Sequence, residues 1–368
     1  MVAPEPTLPD YGGGCITNLL AGLRRPDDPP AWMPAPVAGA RQVVLLVLDG
    51  LGWQQLRSRE QLAPALSGMT GGPITSVAPT TTATALTSIT TGATPAAHGV
   101  VGYRVRVGAH DVLNVLRWRT AGGDARPSVD PARFQPLPVF DGTAPAVVTR
   151  AEFESTGFTV AHLGGTRQFG WRVPSSLAVE VARLLRQGER FVYAYYDGVD
   201  KVAHERGFGP FFDAEVRAAD RLVGDVAAGL TPGSVLVVTS DHGQVQVDSP
   251  SLPIPDDVLG DTGLVSGEGR FRWLHVREGA TADMTQAAGE RYGDIAWVRA
   301  KEQVIDDGWL GGVPRPAVAA RLGDVALVPF TPTAFLDPAD TGELRLRARH
   351  GSLTRDEMLV PLLAWAPS

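Results

Sequence analysis

The chain has 368 residues, 44% of them hydrophobic, and a formal net charge of −7. This length and apolar content allow a large buried core, and the negative charge argues against binding to nucleic-acid duplexes. Cys15 is the only cysteine, which excludes an intrachain disulfide and a cysteine-based zinc site.

Targeting features are also missing from the sequence. The N-terminal segment has no basic region followed by an apolar run, and no segment approaches 18 consecutive apolar residues. Lys201 and Lys301 are the only lysines, so no lysine-rich patch would attract an anionic membrane. We therefore expect a cytoplasmic protein that does not bind membranes. The sequence does not predict its oligomeric state.

Apolar runs and helical patterns alternate along most of the chain. After a Pro/Ala-rich extended segment at 25–40, the run VVLLVL at 43–48 is typical of a strand buried on both faces. Further strands are predicted at 190–196 and 234–239, and helices at 82–91, 174–187 and 211–229. This alternation predicts an α/β fold with a mostly parallel central sheet between layers of helices.

The pattern becomes less regular after Gly243. Helices are predicted near 281–291 and 300–308, with a strand at 294–298 between them. Residues 323–329 are either the last strand of this region or a return to the central sheet. We predict a catalytic core of 1–245 plus 323–368, and a small cap inserted at 246–322.

Acidic residues and histidines follow the predicted strands. Asp49 ends the strand 43–48, and Asp241 and His242 end the strand 234–239. Ligands of open α/β sheets bind at the carboxyl ends of strands, so these residues are candidates for one site. Asp49 alone is equally typical of a turn or a helix cap, whereas Asp241 followed by His242 favours a functional site; the sequence leaves the capping alternative open for both aspartates.

Two more candidates follow the strand 190–196. Asp200 and His204 are four positions apart, so they face the same way on a helix, a spacing that suits one metal ion. A surface charge pair has the same spacing. His350, in an Arg-His-Gly sequence, is a weak signal by itself. Together the candidates offer three carboxylates and three imidazoles, enough for two divalent cations.

A threonine provides a candidate nucleophile. Thr82 begins a predicted helix, and a helix N-terminus presents free N–H groups that bind phosphate oxygens. The alternative is an ordinary helix start rich in threonine. A hydroxyl next to two cations is the equipment of phosphoryl transfer.

These residues carry a family resemblance over about 43–362. A strand followed by Asp-Gly is followed by Thr-Gly-x-x-Pro-x-x-His-Gly from Thr91, by Asp-x-x-x-His, by Ser-Asp-His-Gly and by a late His-Gly. In this order the motifs resemble the alkaline phosphatase superfamily, and within it the nucleotide pyrophosphatase/phosphodiesterase branch. The resemblance implies the superfamily's mostly parallel sheet sandwiched by helices.

The resemblance also implies roles for single residues. Thr82, ten residues before Gly92, corresponds to the nucleophile, and the N–H of Ala83 helps to bind a phosphate oxygen. One zinc ion is implied at Asp49, Asp241 and His242, and a second at Asp200, His204 and His350. His98 belongs to the motif without being a ligand, and we interpret it as structural.

Two positions depart from the family pattern. Ala83-Thr84-Ala85 replaces Phe-Pro-Asn after the nucleophile, and Tyr103 stands where the family has a phosphate-binding asparagine. We predict that the Tyr103 hydroxyl lies at the mouth of the site as a donor to substrate; packing under the cap is the alternative. Arg167 and Arg172 are the nearest candidates for the arginine that gives alkaline phosphatases their monoester preference.

The sequence therefore predicts a two-zinc phosphoric ester hydrolase that acts on a small-molecule phosphate ester through a phospho-threonine intermediate. A phosphodiesterase or nucleotide pyrophosphatase is the first expectation. A phosphonate or phosphomonoester hydrolase on the same core is the second, and a non-catalytic metal-dependent binding protein is the third.

Overall fold

A seven-stranded sheet forms the centre of the computed structural model, which describes residues 3–247, 251–254, 260, 262–340 and 345–367. Across the sheet its strands are Thr70–Thr75, Leu359–Trp365, Ser234–Thr239, Gln42–Leu48, Phe191–Tyr196, Ala146–Arg150 and Arg167–Trp171. The five strands from Ser234–Thr239 to Arg167–Trp171 run parallel, and Leu359–Trp365 is antiparallel to both of its neighbours. The predicted α/β fold with a mostly parallel central sheet is confirmed.

Both faces of this sheet are covered. In Gln42–Leu48, alternate apolar side chains belong to two separate core clusters, one on each side of the sheet. The helices Pro174–Arg186 and Pro210–Ala228 contribute to one cluster, and Thr82–Thr91 and Gly157–Leu163 contribute to the other. This burial explains why the central strands are apolar throughout.

The five predicted helices lie close to their predicted positions, and the chain forms further helices that were not predicted. The longer helices are Thr82–Thr91, Gly157–Leu163, Pro174–Arg186, Gly198–Arg206, Pro210–Ala228, Thr281–Tyr292 and Lys301–Asp306. Short helices are Leu19–Leu23, Trp53–Arg57, Pro64–Ser67, Pro95–His98, Pro131–Phe134, Pro316–Ala319 and Arg355–Met358, and short 3-10 turns are Ile16–Asn18, Ala35–Val37, Glu60–Leu62, Val139–Gly142 and Ala151–Phe153. Within the part of the chain that the structure describes, no helix is long and apolar enough to cross a membrane.

A second sheet, here called the small sheet, lies in the C-terminal half. Its antiparallel strands are, in order, Thr262–Glu268, Phe271–Val276, Val325–Pro329 and Ala296–Ala300. Residues 325–329 therefore form the last strand of the small sheet and do not return to the central sheet. Part of the predicted cap, at 248–250, 255–259 and 261, lies outside the described residues, and the predicted division at 246 and 322 stays a prediction.

Two further sheets, one of four short strands and one of two, complete the fold. Four short antiparallel strands, which the sequence did not predict, are Arg104–Val107, Asp111–Asn114, Arg119–Thr120 and Gly123–Asp124. A two-residue pairing joins Val245–Gln246 to Ala348–Arg349. That pairing brings the chain around His350 back to the carboxyl end of the strand Ser234–Thr239.

A fully buried ion pair connects the small sheet to the helix Arg355–Met358. Arg270 Nε and Nη2 donate to the two carboxylate oxygens of Glu357 at 2.7 and 2.8 Å. Both side chains are 0% exposed. Because a charge buried without its partner is costly, this pair fixes the small sheet against the core.

Candidate active site

The candidate site lies at one edge of the central sheet, where three neighbouring strands end. In the parallel register, Val47 is opposite Thr239, and Leu48 is opposite Tyr196. Because the carboxyl ends of these strands meet, Asp49 and Asp241 are brought together at that edge. The helix Gly198–Arg206, which carries the next two candidate residues, starts at the same edge, where the Asp200 N–H donates to the Asp49 carbonyl at 3.1 Å.

Asp49, Asp241 and His242 form a buried cluster. The distance from His242 Nε2 is 3.5 Å to Asp49 Oδ1 and 3.4 Å to Asp241 Oδ2. One ligand atom from each residue lies within 4.8 Å of the other two. This is a suitable arrangement for one metal ion.

Asp200, His204 and His350 form a second, partly buried cluster that meets the same criterion. Asp200 Oδ1 lies 3.3 Å from His204 Nε2 and 3.9 Å from His350 Nε2. The rings of His242 and His350 stack with centroids 3.6 Å apart, so the two clusters are adjacent. All six predicted ligands therefore meet at one place.

The three imidazoles share a hydrogen-bonding pattern. Each Nδ1 faces a backbone carbonyl: His242 that of Gly243 at 3.0 Å, His204 that of Ala348 at 2.7 Å and His350 that of Thr80 at 2.8 Å. A carbonyl only accepts, so Nδ1 carries the proton and Nε2 keeps its lone pair. Metal-binding histidines are typically held in this way.

Two buried carboxylate oxygens of this cluster accept no hydrogen bond within the described part of the chain. Asp49 Oδ2 accepts from the Tyr195 hydroxyl, and Asp241 Oδ1 accepts from the N–H groups of Gly50 and His242 at 3.1 and 3.0 Å. Asp49 Oδ1 and Asp241 Oδ2 are buried without a hydrogen bond from any described residue. Such oxygens are unfavourable unless a cation binds them, so these residues fit a metal ion.

The electrostatics of both clusters favour the binding of a positive charge. Burial, followed by the charges of Asp241 and Asp200, raises the pKa of Asp49. Burial also raises the pKa of Asp200, whereas burial and the two neighbouring histidines lower the pKa of His350. A bound cation would counter the raised pKa values of the two aspartates and lower the pKa of His350 further, because it favours carboxylates and neutral imidazoles as ligands.

Thr82 lies next to the buried cluster. Its Oγ1 is 3.1 Å from His242 Nε2, and Thr82 is the first residue of a ten-residue helix. The preceding residue, Thr81, makes no capping hydrogen bond through its side chain to any described residue. The N–H of Ala83, in the first turn, is thus available to an anion at the helix N-terminus.

A sequence model of the type I phosphodiesterase / nucleotide pyrophosphatase family matches residues 43–351. The chain belongs to this family. This result confirms the family resemblance drawn from the motifs. No curated protein sequence matches the chain significantly.

Solved structures of similar fold include a eukaryotic and a bacterial protein. Murine ectonucleotide pyrophosphatase/phosphodiesterase 5, as an inactive variant in complex with AMP, is 15% identical with a TM-score of 0.65 over 89% of this chain and 88% of that chain. Phosphonoacetate hydrolase from Sinorhizobium meliloti 1021, in complex with phosphonoacetate, is 18% identical with a TM-score of 0.63 over 89% and 90%. Both similarities confirm the alkaline-phosphatase-like fold.

Two cavities open from the site of this phosphodiesterase-family chain. The first, here called the Thr82 cavity, has a volume of about 510 Å³ and includes Asp49, Thr82, Leu86, Phe153, Phe158, His162, Tyr193 and Tyr195 in its lining. The second, the Tyr103 cavity, has a volume of about 400 Å³ and includes Thr81, Tyr103, Asp200, His204 and His350. Arg117 and Lys201 line both cavities.

Tyr103 thus shares a cavity with three of the candidate ligands. Its hydroxyl accepts a hydrogen bond from Asn114 Nδ2 at 2.5 Å. Asn114 comes from one of the short strands that the sequence did not predict. Tyr103 therefore lies close to the candidate metal ligands, as the sequence predicted. That its hydroxyl donates a hydrogen bond to substrate stays a prediction.

His98 has a different environment from the other motif residues. It is 0% exposed, its Nε2 lies 2.9 Å from Ser88 Oγ, and its Nδ1 accepts from the Val100 N–H at 3.0 Å. Burial lowers its pKa to about 3. These contacts tie the helix Pro95–His98 to Thr82–Thr91, in agreement with a structural interpretation.

Several residues of the site were not found from the sequence. Gln244 Nε2 donates to Asp200 Oδ1 at 3.1 Å, and a Cβ atom at Gly50, where φ is +73°, would collide with Gln244 and Asp200. Only their position beside Asp241 and Asp49 in the sequence could have indicated a role.

The two arginines proposed for a monoester preference lie elsewhere. Arg167 forms an ion pair with Glu189 at 2.6 Å. Neither Arg167 nor Arg172 is among the described residues that line the two cavities.

Proposed function

We propose that this chain is a two-zinc phosphoric ester hydrolase, of phosphodiesterase or nucleotide pyrophosphatase type, with Thr82 as its nucleophile. The observation that carries the proposal is the position of Thr82. Its hydroxyl lies at an uncapped helix N-terminus, 3.1 Å from His242 Nε2 and beside two adjacent three-residue clusters.

Zinc is proposed because the donors are imidazole nitrogens and carboxylate oxygens, three in each cluster. Three protein ligands leave a fourth position open, as in catalytic zinc sites. Asp49, Asp241 and His242 would hold one ion, and Asp200, His204 and His350 would hold the other. When bound, the two ions supply positive charge that stabilises the phosphoryl oxygens and lowers the pKa of a neighbouring hydroxyl.

The residues of the chain itself bind the phosphoryl group and transfer it, first to Thr82 and then to water. Thr82 Oγ1 loses its proton to solvent and forms a bond to phosphorus, while the bond from phosphorus to the departing oxygen breaks. The Ala83 N–H at the helix N-terminus donates to a non-bridging phosphate oxygen. Water then breaks the phospho-threonine bond and restores the Thr82 hydroxyl.

One of the structurally similar proteins supports this role for threonine. The murine ectonucleotide pyrophosphatase/phosphodiesterase 5 in complex with AMP is inactive and carries a threonine-to-alanine substitution. By similarity of fold, a threonine in the corresponding place here is the first candidate for the nucleophile.

A second candidate function is phosphonate hydrolysis. The Tyr103 cavity is lined by three cationic side chains, Arg117, Lys201 and Arg349, and by two carboxylates, Asp200 and Glu268. Lys201 is also paired with Asp197. Because Asp200 would bind a metal ion in the proposed site, the remaining excess of positive charge favours a substrate with a further negative charge. Phosphonoacetate hydrolase, one of the structurally similar proteins, was solved with a ligand of this kind, in which the further charge is a carboxylate.

A substrate panel would test both functions. The zinc-loaded protein should hydrolyse at least one of bis(4-nitrophenyl) phosphate, 4-nitrophenyl phosphate, a nucleotide diester and phosphonoacetate. Mass spectrometry of acid-quenched reactions should find the transferred phosphoryl group on Thr82, which keeps its second ester group when the substrate is a diester. A protein that binds two zinc ions per chain and turns over none of these compounds would be a metal-dependent binding protein instead.

A further inference from the structure

A third cavity, here called the far cavity, lies at the opposite end of the central sheet from the candidate active site. It opens beside Val43 and Phe191, where two of the parallel strands begin, whereas Asp49 follows the end of the first of these strands. The strand rises roughly 20 Å from Val43 to Asp49. The volume of the far cavity, about 540 Å³, is in the range of cavities that bind small organic molecules.

Packed aromatic rings separate the far cavity from the Thr82 cavity. The ring of Phe140 contacts those of Phe191 and Tyr193, with centroids 5.9 and 5.7 Å apart. Phe191 lines the far cavity, and Tyr193 lines the Thr82 cavity. The far cavity is therefore a separate place on the molecule.

The floor of the far cavity is apolar. Leu20, Leu23, Val43 and Phe140 line it and are at most 6% exposed, and Phe191 is half-buried beside them. An alkyl or aromatic group placed on this floor leaves water, which favours its binding.

The rim of the far cavity carries an excess of positive charge. Four arginines and one carboxylate line the cavity: Arg24, Arg41, Arg167, Arg190 and Glu189. Arg167 donates to the two oxygens of Glu189 at 2.7 and 2.6 Å, and Arg24 forms an ion pair with Asp141. Among the described residues, Arg41 donates to the Pro232 carbonyl at 3.2 Å, and neither Arg41 nor Arg190 has a carboxylate partner. Two uncompensated charges in a chain of net charge −7 attract an anion to this place.

The turn Val139–Gly142, on one side of the far cavity, is held in a strained conformation. Phe140 and Asp141 have φ of +47° and +51°, which residues other than glycine rarely adopt. The Phe140 carbonyl accepts from Arg24 Nη2 and from Thr143 Oγ1, each at 2.7 Å. Strain of this kind is common at ligand-binding sites, where the surrounding contacts fix the shape of the cavity before the ligand binds.

We propose that the far cavity binds a small amphipathic anion. Its alkyl or aromatic group packs on the apolar floor, and its carboxylate or phosphate head binds to Arg41 and Arg190. A guanidinium group pairs with either head through two parallel hydrogen bonds. This second site does not depend on the proposed function.

Calorimetry with octanoate tests the inference on the whole protein without any need for catalysis. Octan-1-ol lacks the charge and acetate lacks the apolar chain, so octanoate should bind at least about tenfold more tightly than either compound. Octyl phosphate and 3-phenylpropionate then distinguish the two heads and the two kinds of apolar group. No binding of octanoate, or equal affinities for octanoate and octan-1-ol, would overturn the inference.

Three substitutions locate the bound octanoate. Arg190→Gln should weaken its binding by about tenfold or more, because a charged hydrogen-bond donor is lost. Arg217→Gln, at an arginine that is equally exposed but outside the far cavity, should leave the affinity unchanged. Ala144→Trp, at an exposed position in the lining, should prevent binding because the indole fills the cavity. Unchanged binding to Ala144→Trp, or equal losses in the two arginine variants, would refute the proposed site.

Hydrogen exchange of the unchanged protein covers the case in which a variant does not fold. Octanoate should slow exchange in residues 19–24 and 139–145, which border the far cavity, and leave residues 151–163, which border the Thr82 cavity, as they are. Slower exchange in 151–163 alone would place octanoate in the Thr82 cavity and overturn the inference.

Discussion

Replacing Thr82 with alanine should separate catalysis from stability. Among the residues that the structure describes, the side chain makes one hydrogen bond, to His242 Nε2 at 3.1 Å, so its removal should lower the free energy of unfolding by only about 1 kcal/mol. If Thr82 is the nucleophile, the rate should fall by about 10⁴-fold or more, which is about 5 kcal/mol in activation free energy. Turnover of bis(4-nitrophenyl) phosphate, thermal unfolding and elemental analysis would measure the rate, the stability and the metal content.

The two preceding threonines are matched controls with different expected results. Thr81 has no capping hydrogen bond, so Thr81→Ala should change rate and stability little. Thr80 Oγ1 donates to the Ser352 carbonyl at 2.8 Å and accepts from the Gly351 N–H at 3.0 Å. Thr80→Ala should therefore lower the unfolding temperature, because two buried backbone groups lose their partner.

The assignment of Thr82 would be refuted by one pattern of results. If Thr82→Ala keeps activity within tenfold of the unchanged protein while Thr81→Ala is inactive and folded, the nucleophile has been placed one residue too late. If neither substitution affects turnover, no threonine at this helix start is the nucleophile.

Four further expectations concern metal, rate, stability and pH. A chelator should abolish activity and Zn²⁺ should restore it at two ions per chain; full activity with no bound metal would contradict this. Tyr103→Phe should lower kcat/KM by about tenfold, and an unchanged rate would show that the tyrosine only packs. Glu357→Gln should lower the free energy of unfolding by about 3–5 kcal/mol because it leaves the buried charge of Arg270 without a counter-charge. Asp28→Asn, which breaks an exposed ion pair, should lower it by less than about 1 kcal/mol. The pKa of His98 is lowered to about 3 in the folded protein, so the stability that this residue contributes is present above its unfolded pKa of about 6.5 and is lost as the pH falls. The free energy of unfolding in urea should therefore be lower at pH 5 than at pH 7.5, and His98→Gln should reduce that difference by about 2 kcal/mol.

The sequence predicted the central elements because their signals are local. The run VVLLVL lies within the strand Gln42–Leu48, and the helix predicted at 82–91 runs from Thr82 to Thr91. The strand Ser234–Thr239 was also predicted with its bounds. In each case burial on both sides makes the whole segment apolar or small, and a glycine or an acidic residue marks its end.

Asp49, Asp241 and His242 could be predicted because they follow predicted strands closely, whereas His350 was found only through the family resemblance. The surroundings of the ligands could not be predicted. The hydroxyl of Tyr195 reaches Asp49 only because two strands pair in register, and Gln244 reaches Asp200 across a loop. His162 is a lone histidine on a short helix, and nothing in the sequence places it in a cavity with Thr82. Contacts between distant parts of the chain have no local pattern that would indicate them.

The position of the strand Leu359–Trp365, one strand in from the edge of the sheet, has a consequence for biosynthesis. It lies between Ser234–Thr239 and Thr70–Thr75, so neither strand has this neighbour until the ribosome has made residue 365. A product terminated shortly after His350 would contain every candidate ligand, yet it would expose two open strand edges able to pair with other chains. Premature termination in this region should therefore yield aggregates and not a metal-binding fragment.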